Sequence, residues 1–244
     1  MKFFYKAVLF DWAYTLVDLV KEDDRAAFSK AFDWLRGKGF SLPDFEEFFG
    51  VYHDLFYKMI DVSRETHREA NFELALKLLL FRYRIDLAAN SDFEELLAVF
   101  YKEIYAPRKL YADTVPALEK LKSLGVRMGV VSNTTNPRFM KDYERSALGL
   151  DAYFEFALYS SELPYRKPHP SIFQAAIGRL GLSPRQILFV GDDLQSDVEG
   201  AQRVGLPTAW LNRDGNGKAA SRSVQPDYEI RSLLDMLDIG PRAV

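Results

Sequence analysis

The feature that most limits how this chain can fold is a set of four short, mostly apolar runs, Ala7 to Phe10, Val126 to Val131, Phe154 to Leu158 and Ile187 to Val190, each followed at once by polar residues. Runs of this length between turn signals read as strands buried on both faces of a parallel sheet, and Thr208 to Leu211 reads as a fifth. Helix-period stretches separate the later ones, at Val115 to Leu124, Pro170 to Leu180 and Ser196 to Val204. Such alternation predicts an α/β fold built on a doubly wound parallel sheet, in which ligands bind beyond the carboxyl ends of the strands.

Between the first two strands the pattern changes. Apolar residues recur at helical spacing: Phe28, Phe32, Leu35; Phe45, Phe49, Tyr52, Phe56, Met59; Phe72, Leu76, Leu79, Leu80; Phe93, Leu97, Phe100, Ile104. Pro43 and the N-cap-like cluster Asn90-Ser91-Asp92 mark helix starts, and Pro107 marks a linker back to the sheet. The expected organisation is a Rossmann-like core over residues 1–16 and 108–244, with an all-helical cap inserted over 17–107. Arg213 to Gln225 reads as a surface loop.

Composition narrows the function. A chain of 244 residues, 48% hydrophobic, can bury a substantial core. Thirty-two basic against thirty-five acidic residues, net charge -3, argue against a broad nucleic-acid footprint. Asp11 interrupts the amino-terminal apolar segment well short of a signal sequence or membrane span, so a soluble protein with no membrane partner is expected. Without cysteine there is no disulfide framework and no thiol nucleophile; catalysis must use oxygen and nitrogen groups, and a cytoplasmic setting is the simplest reading. His53, His67 and His169 lack partners at helical metal-ligand spacing, which argues against zinc. No feature sets an oligomeric state.

The chemistry-bearing residues fall where such a fold would collect them. Asp11 follows the first strand, and a carboxylate there can attack phosphorus to form an acyl-phosphate. Ser132 and Asn133 follow the second, where a hydroxyl and backbone N–H groups at a helix start can hold phosphate oxygens. Lys167 follows the third, between Arg166 and Pro168, and its ammonium can neutralise a nucleophile and a phosphate. Asp192, Asp193 and Asp197 follow the fourth, a carboxylate cluster suited to hard, oxygen-seeking Mg2+. Singly, each has a plainer reading: a turn aspartate, an N-cap, a solvated lysine, a capped helix start. Jointly, their order after successive strands is improbable as accident.

These segments, Asp11 through Thr15, Ser132, Lys167, and Gly191-Asp192 through Asp197, resemble the four motifs of the haloacid dehalogenase-like superfamily, and the likeness spans the whole sheet domain. The resemblance implies a magnesium-dependent, phosphatase-type hydrolase acting on a phosphorylated small molecule. It makes Asp11 the nucleophile and a metal ligand, with Ala13 lending its backbone carbonyl to the metal and Thr15 part of the catalytic motif. Ser132, Asn133 and Lys167 would bind substrate. Asp192 would ligate the metal directly, while Asp193 and Asp197 divide metal ligation and orientation of the lysine between them. The insertion resembles that family's first type of cap, a lid that excludes water.

Position 13 departs from the pattern. Phosphatases of this superfamily usually carry a second aspartate there as general acid and base, whereas alanine moves no protons. Three readings stand: an engineered replacement of an original aspartate, a phosphonatase-like enzyme that cleaves a C–P bond through a cap lysine, or a weakly active phospho-ligand-binding protein. Cap lysines available to the second are Lys21, Lys30, Lys38, Lys58, Lys77 and Lys102. The dehalogenase branch lacks the metal-binding acids and is set aside on Asp192, Asp193 and Asp197. Arg25, Lys58, Arg64 and Arg68 are candidates to meet an anionic substrate.

Overall fold

The computed structural model describes residues 3–20, 22–87, 89–106, 108–215 and 224–240; Lys21, the Pro107 linker and residues 216–223 of the expected surface loop lie outside the described residues. In chain order the strands are β1 (Ala7–Phe10), β2 (Val17–Asp18), β3 (Lys109–Leu110), β4 (Arg127–Ser132), β5 (Phe156–Tyr159), β6 (Ile187–Gly191), β7 (Thr208–Leu211) and β8 (Tyr228–Ile230). The helices are α1 (Asp24–Gly37), α2 (Phe45–Thr66), α3 (Phe72–Arg82), α4 (Asn90–Tyr105), α5 (Thr114–Ser123), α6 (Arg138–Ala147), α7 (Pro170–Leu180) and the short α8 (Gly200–Gln202).

Six strands form one sheet in the order β5-β4-β1-β6-β7-β8, and each neighbouring pair is parallel. The chain leaves β1 toward β4 and β5, then crosses back to β6 on the other side. The order therefore reverses between β1 and β6, the switch point at which open α/β sheets leave a ligand crevice. Phe10 pairs with Val190 there, so Asp11 and Asp192 emerge side by side at the strands' carboxyl ends.

Alternation along β1 explains its continuous apolar character. Val8 and Phe10 pack in a cluster with Leu118 and Leu121 of α5, and Ala7 and Leu9 in another with Ile172, Phe173 and Ala176 of α7. Both faces are covered, as a parallel sheet requires.

The insertion buries a cluster of its own from α1 to α4, joined by Met140. Phe28 stacks on Tyr52 with ring centroids 4.5 Å apart and Phe72 on Phe100 at 4.6 Å. Asp23, Asp44 and Asn71 cap α1, α2 and α3 by accepting from the N–H groups of Ala26, Glu47 and Leu74. At its base β2 and β3 pair antiparallel, tying the outgoing chain to the returning one. Among the described residues no helix is long and apolar enough to cross a membrane.

Several local expectations are corrected. Asn90, Ser91 and Asp92 lie inside the first turn of α4, whose N-cap position, Ala89, makes no side-chain bond. The helix expected to begin at Ser132 and Asn133 begins instead at Arg138, after Pro137; the Thr134 hydroxyl accepts from the Asn136 N–H and holds the intervening segment in a turn. The helix expected over Ser196 to Val204 opens as a π-helical stretch, Leu194–Glu199, before reaching α8. The β2–β3 ribbon and the edge strand β8 were not among the expected elements.

Gly191 ends β6 where Asp197 folds back against it, and a β-carbon there would overlap the Asp197 carboxylate. Gly191→Ala is expected to lose about 2 kcal/mol, roughly 4–8 °C in thermal midpoint. Calorimetry checks this against Gly37→Ala, where the space is open and stability should hold.

Candidate active site

The residue after β1 carries the first functional group. Asp11 continues the strand through its N–H to Val190 O at 2.9 Å, and the chain then turns back on itself, with Leu16 and Val17 donating to Trp12 O. The turn places Tyr14 at φ 59°, a left-handed conformation, which accounts for an exposed tyrosine where a glycine would be at ease. Thr15, fully buried, donates its hydroxyl to Asp192 Oδ1 at 3.1 Å.

Lys167 is delivered by the loop before α7. Asn133 holds that loop from both sides: its Nδ2 donates to Lys167 O at 3.0 Å and its Oδ1 accepts from Lys167 N at 2.8 Å. Nζ of Lys167 then reaches Asp11 Oδ1 at 2.5 Å and Asp197 Oδ1 at 2.7 Å. Asp197 is drawn inward because Val198 N bonds Asp193 O in the π-helical turn, while its second oxygen accepts from Asp193 N at 3.1 Å.

Asp11, Asp192 and Asp197 thus form a group whose carboxylate oxygens lie within 4.8 Å of one another. Asp193 does not join it: its Oδ1 accepts from the N–H groups of Gln195 and Ser196 and caps the turn. Adjacent acids have taken different tasks because Asp193 is extended, at φ -103° and ψ 120°, and successive side chains on extended backbone point to opposite sides. With all three ionised, the carboxylates would exceed the single ammonium by two negative charges in a nearly dry site. An all-oxygen donor set with that excess suits a hard divalent cation.

Burial, then the charges of Asp11 and Asp197, pushes Asp192 up to about 8, against the hydrogen bond from Thr15. Burial works against the charge of Lys167 too, but Asp11 and Asp197 outweigh it and hold the ammonium above the ordinary lysine range.

Above this cluster, between sheet and cap, lies a cavity of about 330 Å3 bordered by Ala13, Ser132 and Asn133 from the core and by Tyr52, Phe56 and Tyr101 from the cap. Tyr52 and Phe56 therefore both pack the helices and face the cavity. Of Arg25, Lys58, Arg64 and Arg68, only Arg64 borders it; Arg25 is paired with Glu46. The described cap lysines Lys30, Lys38, Lys58, Lys77 and Lys102 are exposed and none borders the cavity, which leaves the Schiff-base reading without a lysine among them. A larger cleft of about 1090 Å3 between α3 and α4 contains none of the motif residues.

The model of the haloacid dehalogenase-like hydrolases matches residues 5–205. The chain is a haloacid dehalogenase-like hydrolase. It is 29% identical over 192 residues, 76% of its length and 78% of the relative's, to a glyceraldehyde 3-phosphate phosphatase of Methanopyrus kandleri. It is 32% identical over 169 residues, 68% of its length and 67% of the relative's, to an (S)-2-haloacid dehalogenase of Burkholderia cepacia. Its structure resembles that of a HAD phosphatase from Thermococcus onnurineus with TM-score 0.64 and 28% identity, covering 98% of this chain and all of that one.

This hydrolase also has site residues that sequence reasoning missed. Arg166 donates to Ser63 and pairs with Glu69 of the cap, and its N–H bonds His67 O, so the loop that carries Lys167 is fastened to the insertion. Trp210 Nε1 donates to Asp192 O at 2.8 Å and anchors the acidic turn. Lys141, Glu144 and Arg108 form a buried ion cluster beside the cavity. A Lys and a Glu three apart on a helix look like an ordinary surface pair, and only tertiary burial distinguishes them.

In the metal-free hydrolase, folding raises the proton affinity of the adjacent carboxyls Asp192 and Asp197, Asp192 to about 8 and Asp197 to about 7, above the ordinary aspartate value of 3.8, so stability falls as pH climbs from that value to about 8. Asp192→Asn removes the part of this penalty that Asp192 carries. Its gain in melting temperature over the wild type, measured in EDTA, is expected to be small at the acidic end, to grow across the window and to level off above it. A gain independent of pH would contradict the assigned cause.

Proposed function

We propose that this hydrolase is a Mg2+-dependent phosphatase that transfers the phosphoryl group of a small molecule to Asp11 and then releases it to water. The observation that carries the reading is the meeting of Asp11, Asp192 and Asp197 with Lys167 at the switch point, with the chain neighbours Trp12, Ala13 and Arg166 bordering a cavity. Asp11, Asp192 and Asp197 would hold the ion, which when bound supplies charge neutralisation for the phosphoryl oxygens.

Lys167 fixes the plane of the Asp11 carboxylate through Oδ1, which orients it for in-line attack. The ammonium is also placed to receive a phosphoryl oxygen. Ser132 supplies a hydroxyl at the cavity wall whose contact with Asn133 O, at 3.4 Å, is weak and readily exchanged for a phosphate oxygen. Asn133 serves by holding the Lys167 backbone. The cavity size agrees with a small phosphoester, the class named for the Methanopyrus kandleri relative.

Ala13 favours a second reading, phosphate binding with weak turnover, because the acid–base group usual at that place is missing. Turnover of para-nitrophenyl phosphate with and without Mg2+ separates the two. The phosphatase reading expects Mg2+-dependent release, abolished by EDTA and reduced at least ~1,000-fold in Asp11→Asn. A phosphate-dependent rise in melting temperature without turnover selects the binding protein, and metal-independent turnover by Asp11→Asn overturns the proposal.

A further inference from the structure

The proposed chemistry leaves one task unassigned. With alanine at position 13, nothing from the first motif protonates a leaving oxygen. A proton-carrying side chain without a role borders the same cavity: Lys141, on the second turn of α6. Met140 and Lys141 both bond Pro137 O, so the start of α6 is tied to the segment that carries Ser132 and Asn133.

Lys141 is only 3% exposed. Its Nζ lies 5.1 Å from the ring centroid of Trp12, the residue between Asp11 and Ala13, and 5.9 and 6.0 Å from the rings of Tyr105 on α4 and Tyr159 on β5. It pairs with Glu144 one turn on. Glu144 is not its partner alone: Arg108, which also holds Glu22, takes the other carboxylate oxygen. Arg108 thus shares Glu144 with Lys141, and its positive charge disfavours the ammonium. Burial first, and then Arg108, therefore lower the affinity of Lys141 for its proton, while Glu144 and Asp11 oppose them without prevailing. Such a lysine gives up its proton more readily than a solvated one, which is what a proton donor to a leaving oxygen requires.

The cavity wall includes Ala13 and Lys141 but none of the three carboxylates and not Lys167. An in-line displacement at Asp11 sends the leaving oxygen away from that carboxylate, and a phosphoester held in this cavity has both Ala13 and Lys141 on its wall, with Lys141 Nζ 5.1 Å from the ring of Trp12.

We propose that Lys141 is the general acid for the leaving oxygen and then the general base for water, replacing the group that Ala13 lacks; this rests on the phosphatase reading above. In the first step an Asp11 oxygen forms a bond to phosphorus and the bond from phosphorus to the ester oxygen breaks. That oxygen keeps the electron pair and takes a proton from Nζ, which becomes a neutral amine as the alcohol leaves. In the second step a water oxygen bonds to phosphorus while the amine takes its proton. The bond from Asp11 to phosphorus breaks, the carboxylate and the ammonium are restored, and inorganic phosphate departs.

The test compares kcat/KM for para-nitrophenyl phosphate, whose anion leaves unaided, with that for glycerol phosphate, whose alkoxide needs a proton. All assays contain Mg2+ and use the wild type, Lys141→Met and Lys141→Arg. Lys141→Met leaves Glu144 paired with Arg108, and Lys141→Arg keeps a cation that does not release its proton. Both variants are expected to hold kcat/KM for the aryl ester within ~3-fold and to lose at least ~100-fold on glycerol phosphate. Both should also release a burst of nitrophenol as phosphoenzyme accumulates, and Ala13→Asp added to Lys141→Met should restore most of the lost glycerol phosphate activity. Equal losses on the two esters, or none on either, overturn the role while leaving the phosphatase reading intact. A wild type that releases no nitrophenol overturns the phosphatase reading itself.

Discussion

A single buried ammonium, that of Lys167, lies within hydrogen-bonding distance of Asp11 and Asp197, and the geometry around the switch point is organised by that contact. Three carboxylates at the ends of two neighbouring strands repel one another, and burial strengthens the repulsion. Lys167 offsets one of these charges, while burial and the repulsion among the rest raise the proton affinity of Asp192. The backbone is adapted to this arrangement: Asn133 holds the lysine's loop, Thr15 and Trp210 hold the Asp192 segment, and Gly191 leaves room for Asp197. Replacing buried charges with apolar groups of similar volume is often neutral or stabilising, so their retention here fits the proposed site for a cation and a phosphoryl group.

Charge also couples the two layers of the molecule. Arg166 follows the cap while its neighbour Lys167 serves the core. Also on the cavity wall, Arg108, where the chain returns from the insertion, is shared by Glu22, where it leaves, and Glu144 on α6. Movement of the insertion would pull on both the Lys167 loop and the Lys141 cluster. The cavity and its charged walls are therefore set jointly by the sheet and by how the cap rests on it.

Much of this was legible in the residues because the central strands are buried on both faces and read as unbroken apolar runs, as Ala7–Phe10 and Ile187–Gly191 do. Strand β8 was harder, since Tyr228, Glu229 and Ile230 at the sheet's edge present a mixed pattern. The π-helical turn had no local signal: it follows from Asp193 capping the turn and Asp197 being pulled to Lys167. Likewise the neighbours Asp192 and Asp193 are chemically identical in sequence, and their separation into cluster and cap depends on which way the backbone turns. Lys141 and Glu144 carry the pattern of a solvated helix pair, and what buries them is the packing of Trp12, Tyr105 and Tyr159.

By itself the sequence determined which residues end the strands, because burial selects apolar runs and polar residues must follow where the chain meets the crevice. It thereby determined that Asp11, Ser132, Lys167 and the acids from Asp192 onward belong to one end of one sheet. Tertiary structure decided what no linear pattern encodes: which carboxylates share a charge cluster, what Asn133 holds, and which amine is stripped of water beside Ala13. Those outcomes depend on distances of a few ångströms between segments far apart in the chain, where desolvation and Coulomb interaction change steeply and local residue preference exerts no control.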